Sequence, residues 1–210
     1  MDQERRRLLI KIRDYFNNHP TDKINLLQAC KAIKCNLSEI TRWAPTPSEL
    51  IKQILELKSK QLSEVLDSED FKSDSAIDSM VFTGQEIYER FEQLSPAKYL
   101  FIKQLEPALY DSSQSQKFEL IEKHLNNNLD KGMATGEYKA ELNKNDIITK
   151  YLNRIKTIHS QEYLRSEHFS FANIFSNIFE DYLEEVATDE NWNYFRKRKQ
   201  FYEAISFINR

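Results

Sequence analysis

Apolar residues recur along this chain at three- and four-residue intervals, the spacing that lines one face of an α-helix. Leu8, Leu9, Ile12, Tyr15 and Phe16 form the first such face, and the helix they predict ends at Asn17-Asn18-His19-Pro20, since proline disfavours helix in the residue before it. Asn25 can cap a short second helix with Leu26, Ala29, Cys30 and Ile33 inward. The Lys34-Cys35-Asn36 corner ends it, and Asn36 can cap a third helix from about Leu37 to Trp43. A fourth begins at Pro47, where the first turn has no use for the missing N–H, and carries Leu50, Ile51, Ile54, Leu55, Leu62, Val65 and Leu66.

From residue 67 the stripes continue. They run through Ile77, Met80, Val81, Ile87, Tyr88, Phe91 and Leu94, through Leu100 to Leu109, through Phe118 to Leu129 and through Ile147 to Ile158. Asp67 to Asp74, Ser95-Pro96, Asp111 to Ser115 and Gly132 to Asn145 separate them. A helix from about His168 to Ala187 has a wider apolar face, built from Phe171, Ile174, Phe175, Ile178, Phe179, Tyr182, Leu183 and Val186, and a last helix places Tyr194, Phe201, Ile205 and Ile208 together. No run alternates with the period of a strand, and only three glycines interrupt 210 residues, so the fold class is all-α.

Three short helices in the first 45 residues, the last two joined by a tight turn, make a helix-turn-helix pattern. Charge supports a polyanion partner at that end. Residues 1 to 60 carry 12 Lys+Arg against 7 Asp+Glu, net +5, and the remaining 150 are net −8. On a third helix that starts at Leu37, Ile40 and Ala44 point inward, which leaves Leu37, Ser38, Glu39, Thr41 and Arg42 toward a groove. Arg42, Lys34 and Lys52 are expected nearest the phosphates, with Arg5, Arg6 and Arg7 as an adjustable arm.

KCNLSEITRWA followed by PTPSEL, residues 34 to 50, resembles the tetracycline-repressor (TetR) family of bacterial regulators. The family's Gly-Val-Ser-x-Gly-Thr-Leu-Tyr-x-Tyr-Phe run places Cys35 on its valine, Ile40 on its leucine, Trp43 on its second tyrosine, and Glu49 and Leu50 at the start of a long connecting helix. Lys34 stands for the turn glycine, Thr41 for the first tyrosine, Ala44 for the phenylalanine and Pro47 for a lysine. A second passage, residues 127 to 155, is similar to the family's ligand-domain run of Gly-x-x-x-Gly-Glu-aromatic-Arg, with Gly132, Gly136, Glu137, Tyr138 and Leu142 in corresponding positions and Lys139 for the arginine. Gly136 suits a left-handed helix end, and Asn143 suits the cap of the next helix.

The resemblance implies a helix-turn-helix DNA-binding domain over residues 1-46 and a helical ligand-binding and dimerisation domain over 47-210. It implies a homodimeric regulator, in most such proteins a repressor, that binds an inverted-repeat operator in double-stranded DNA and is released by a small molecule. The DNA-binding set is then Asn25, Lys34, Asn36, Leu37, Ser38, Glu39, Thr41, Arg42, Trp43 and Lys52. An apolar or aromatic effector would have Phe82, Tyr88, Phe101, Phe118, His124 and Tyr151 as candidate contacts. A dimer interface is expected from Tyr151, Ile155, Phe171, Phe175, Ile178, Phe179 and Tyr182, because their helices have apolar faces wider than one core needs. The alternative is a helical dimer that binds a ligand or a protein and has lost specific DNA binding.

Other chemistry finds little footing. Glycines at 84, 132 and 136 cannot build a phosphate loop, the four histidines are scattered, and adjacent carboxylates such as Glu184 and Glu185 diverge on a helix, so no enzyme and no cofactor is expected. Cys30 and Cys35 lack the spacing and the histidine partners of a metal site. No segment approaches the ~18 apolar residues of a membrane span, and the N-terminus lacks a cleavable signal, so the expected location is cytoplasmic.

Overall fold

A computed structural model describes residues 2–19, 24–68, 74–90, 99–158 and 171–208. The helices are α1 (Gln3–Asn18), α2 (Leu26–Ile33), α3 (Leu37–Trp43), α4 (Pro47–Leu66), α5 (Ala76–Glu89), α6 (Leu100–Leu105), α7 (Pro107–Thr135), α8 (Lys144–Ile158), α9 (Phe171–Val186) and α10 (Asp189–Ile208). They form two compact units: Met1–Val65 with Arg90–Glu119, and Leu66–Glu89 with Leu120–Arg210.

In the first unit each short helix is delimited by its own sequence. Asp2 caps α1 by accepting the Arg5 N–H at 2.8 Å, Asn25 caps α2 through Gln28, and Asn36 caps α3 through Ser38, the latter two at 3.0 Å. Thr46 accepts the Glu49 N–H at 3.1 Å and so starts α4 one residue before Pro47. Between α2 and α3, Lys34 adopts the left-handed conformation with φ 56° and ψ 51°. Its N–H and that of Cys35 both reach the Cys30 carbonyl, which closes the last turn of α2. Leu9, Ile12, Phe16, Ala29, Ile40, Ala44, Leu50, Ile51 and Ile54 fill the core here, joined by Tyr99 and Ile102.

One expected boundary is absent. Asp111 to Ser115 does not separate helices; the break falls at Glu106-Pro107, and α7 runs unbroken to Thr135. Proline starts this helix, and within the polar run Ser115 turns its hydroxyl back to the Asp111 carbonyl at 3.2 Å, where it does not interrupt the helix.

The second unit is held by a clasp that gives the glycine-rich passage its meaning. Gly136 ends α7 with φ +75°, and the ring of Tyr138 lies so close to Gly132 that a Cβ there would fall 2.1 Å from Cδ2. The Tyr138 hydroxyl donates to Asn128 at 2.7 Å, and Asn128 donates to the Ala76 carbonyl at 2.8 Å. Glu137 reaches the start of α5, where it accepts from the Ala76 and Ile77 N–H groups at 2.8 and 3.1 Å and from the Ser75 hydroxyl at 2.6 Å. Its backbone and that of Lys139 pair with Thr188 and Val186, an isolated antiparallel bridge. Asn143 caps α8 through the Asp146 N–H, as its position predicts.

Candidate nucleic-acid interface

The helical phase read for α3 holds. Ile40 and Ala44 have no exposed surface, so the same helix must turn Ser38, Thr41 and Arg42 outward, with Leu37 and Glu39 half-buried at the edges. Ser38 is tied to the Asn36 side chain by both its N–H and its hydroxyl, at 3.0 and 2.9 Å. Thr41 donates only weakly, at 3.4 Å, to the Ser38 carbonyl. Among the described residues neither Glu39 nor Arg42 enters an ion pair, so both retain their hydrogen-bonding capacity for a partner. Three outward polar residues on a helix whose back is locked into a core can present donors and acceptors to a groove without rearranging.

Around α3 the expected contacts divide into two kinds. Lys34 is exposed, and so is Lys52, which stands 3.9 Å from Glu49. Asn25 and Asn36 are exposed as well, yet their side-chain oxygens already serve as caps, so their contribution is to fix α2 and α3. Trp43 is half-buried beneath the Arg5 guanidinium, 4.9 Å from its ring centre, and its carbonyl accepts from Gln53 at 2.6 Å. Gln53 in turn accepts from Arg5 at 2.5 Å. Arg5 and Gln53 therefore brace the end of α3, a role the sequence pattern did not reveal. The expected arm is also corrected: Arg5, Arg6 and Arg7 lie within α1, and Arg6 makes a two-point pair with Glu64 at 2.8 and 2.9 Å. Burial and the neighbouring Cys30 push the Cys35 thiol up, so it stays protonated and packs as an apolar group.

The candidate effector contacts belong to different units. Phe101 is core in the first unit, 6.2 Å from Phe16, and Phe118 is half-buried there beneath Lys117. Phe82, His124 and Tyr151 belong to the second. Phe82 lies under the Arg198 guanidinium at 5.7 Å, and His124 places Nδ1 3.2 Å from the Leu66 carbonyl, with burial lowering its pKa. Tyr151 stands edge-on to Tyr182 at 5.3 Å, its hydroxyl pushed up to about 12 by burial. The Tyr88 side chain lies outside the described residues.

Three of the described residues expected to meet a second subunit are buried inside one chain. Tyr151, Ile178 and Tyr182 are 9%, 8% and 3% exposed, because α8 and α9 pack on each other. Ile155 is half-buried, and so is Phe179, whose ring faces Phe195 at 6.2 Å and lies against Gly84. Asn177, Asp181 and Glu184 are what α9 turns to solvent among the described residues, and Arg154–Asp181 and Lys150–Glu185 pairs at 2.7 and 2.6 Å tie the two helices. The side chains of Phe171 and Phe175 lie outside the described residues.

These features define a class: an all-helical chain with an N-terminal helix-turn-helix whose second helix is presented to solvent. Salmonella enterica GusR is similar in structure over 88% of this chain and 98% of its own, with a TM-score of 0.60 and 16% identity. A protein described as a TetR-family transcriptional regulator from Vibrio parahaemolyticus matches over 89% of this chain and all of its own, with a TM-score of 0.55 and 8% identity. No protein-family model matches the sequence, and no curated protein is similar to it. The chain has the fold of the TetR-family regulators. No helix among the described residues is long and apolar enough to cross a membrane.

Proposed function

We propose that the protein is a DNA-binding transcriptional regulator of the TetR type. It acts as a repressor whose dimer sets two α3 helices in successive major grooves and is released when a small molecule binds the helical body. The observation that carries this reading is the division of α3 into a buried back, Ile40 and Ala44, and an outward face, Ser38, Thr41 and Arg42. Arg42, Lys34 and Lys52 supply phosphate contacts, Ser38 and Thr41 reach base edges, and Glu39 can accept from a cytosine amino group. Dimerisation rests on the half-buried Ile155 and Phe179 and on the flanking α8 and α9 surfaces.

Duplex binding measured over a range of salt concentrations tests the interface. The log-log slope should be steep for the wild type and lower by about 0.9 in Arg42→Ala, the loss of one phosphate contact. An unchanged slope removes Arg42 from the interface.

A further inference from the structure

A cleft of about 270 Å³ opens in the first unit between the start of α1 and the middle of α4, lined by Arg5, Gln53, Glu56, Leu57 and Lys60. The four α4 residues are spaced i, i+3, i+4 and i+7, so they share one face of that helix. Gln53 and Leu57 are buried and make the floor, whereas Glu56 and Lys60 are exposed and stand at the rim. Arg5 enters from α1 with its guanidinium over the Trp43 ring and one N–H given to Gln53. The cleft therefore shares two of its walls with the brace that holds the end of α3.

Its polar groups have capacity to spare. A guanidinium carries five N–H donors, and the Arg5 side chain gives one hydrogen bond, to Gln53, while its Nε has no partner. Among the described residues neither Glu56 nor Lys60 enters an ion pair. The acid whose charge Lys60 feels, Glu64, is taken up by Arg6, and Asp2, the acid near Arg5, caps α1. The lining thus holds two cations against one carboxylate, net +1, which a single negative charge balances and a dianion overfills. Leu57 adds an apolar floor that a hydrocarbon portion can cover.

We propose that this cleft binds a small organic monocarboxylate, with the carboxylate between Arg5 and Lys60 and the apolar portion over Leu57. Arginine and carboxylate pair through a planar fork, and Arg5 keeps donors for it beside the one that Gln53 holds. Lys60 adds attraction at the mouth, and Glu56 repels phosphate dianions and larger polyanions. The occupant fastens Arg5 over Trp43 and so tightens the last turn of α3, which Gln53 already holds through the Trp43 carbonyl. The site stands on the cleft itself and needs no DNA; only its consequence for duplex binding rests on the regulator reading.

Fluorescence of the full chain carrying Trp192→Phe tests the site, because Trp43 is then its one tryptophan and lies against Arg5. Sodium hexanoate is the probe, with inorganic phosphate as a second anion and sodium chloride at matched ionic strength as the control, all without DNA. Hexanoate should change the Trp43 emission with saturation, beyond anything chloride does. Lys60→Met, at an exposed position outside the core, should weaken hexanoate by about 2- to 5-fold, and Glu56→Gln should tighten it by a similar factor. Arg5→Lys keeps the charge and loses the planar fork, so it should weaken hexanoate by about tenfold. If hexanoate does no more than chloride, or if Lys60→Met and Glu56→Gln both bind it as the parent chain does, the proposal is overturned. Phosphate that binds as tightly as hexanoate overturns the monocarboxylate assignment. Because no DNA is present, failure of the regulator reading leaves these outcomes unchanged.

Discussion

Replacing Lys34 by glycine should make the protein fold better and bind DNA worse. Lys34 is a non-glycine residue at φ 56°, a conformation that costs an L-residue roughly 1–2 kcal/mol through the clash of its Cβ with the following carbonyl. Its side chain is exposed, so the fold loses no packing when it is removed. Glycine escapes the clash but adds freedom to the unfolded chain, which offsets roughly 0.4–1 kcal/mol of the gain. The net stabilisation is about 0.5–1 kcal/mol, a rise in Tm of about 1 to 4 °C for a chain of this length. Lys34→Ala removes the same charge while keeping the Cβ, so it should leave stability near the wild type. Both variants should lower the salt slope of duplex binding by about 0.9, because both lose the same ammonium. Thermal unfolding and fluorescence anisotropy on one labelled duplex read the two effects separately. A glycine variant no more stable than the alanine variant refutes the argument from φ, and an unchanged salt slope in both refutes the phosphate contact.

The clasp of the second unit gives further tests. Glu137→Gln should destabilise by about 1–3 kcal/mol at pH 7, since a neutral amide replaces a carboxylate that accepts from Ser75, Ala76, Ile77 and Thr135. Burial raises the Glu137 carboxyl, and those hydrogen bonds outweigh it, so it titrates below its ordinary 4.5. The difference between wild type and Glu137→Gln should therefore be fully open above pH 4.5 and close as the pH falls through the lowered value, measured by urea unfolding across that range. Gly132→Ala should cost about 1–3 kcal/mol by forcing the Tyr138 ring away, and the tyrosine fluorescence of the folded state should change with it.

Much of the fold could be read from local chemistry. Asn25, Asn36 and Asn143 cap the helices their positions predict, and Gly136 takes the left-handed conformation, because caps depend on a few neighbouring residues. The outward face of α3 was legible for a similar reason, since seven residues of one helix have a fixed phase once Ile40 and Ala44 are placed inside. What was hidden depends on long-range partners. Arg5 and Arg6 look like free positive charge in the sequence, but Gln53 and Glu64, more than forty positions away, engage them. The apolar face of α9 likewise has partners within the chain, α8 and Phe195 among the described residues, that its own spacing does not name. Lys58 stands at a core register of α4, where it is buried. Spacing alone does not distinguish a lysine that reaches solvent from one that stays buried.

The most direct test of the regulator reading is to let the protein choose its own DNA. Genomic fragments from the source organism are incubated with the wild-type protein and with Glu39→Gln at low and moderate salt, and the retained fragments are sequenced. Wild type should enrich an inverted repeat with half-sites about one helical turn, or ~10 base pairs, apart. The Glu39→Gln variant should enrich the same repeat with preference lost at one position in each half. Fragments that show no shared sequence with wild type, even at low salt, would contradict the regulator reading and make α3 a corner between helices.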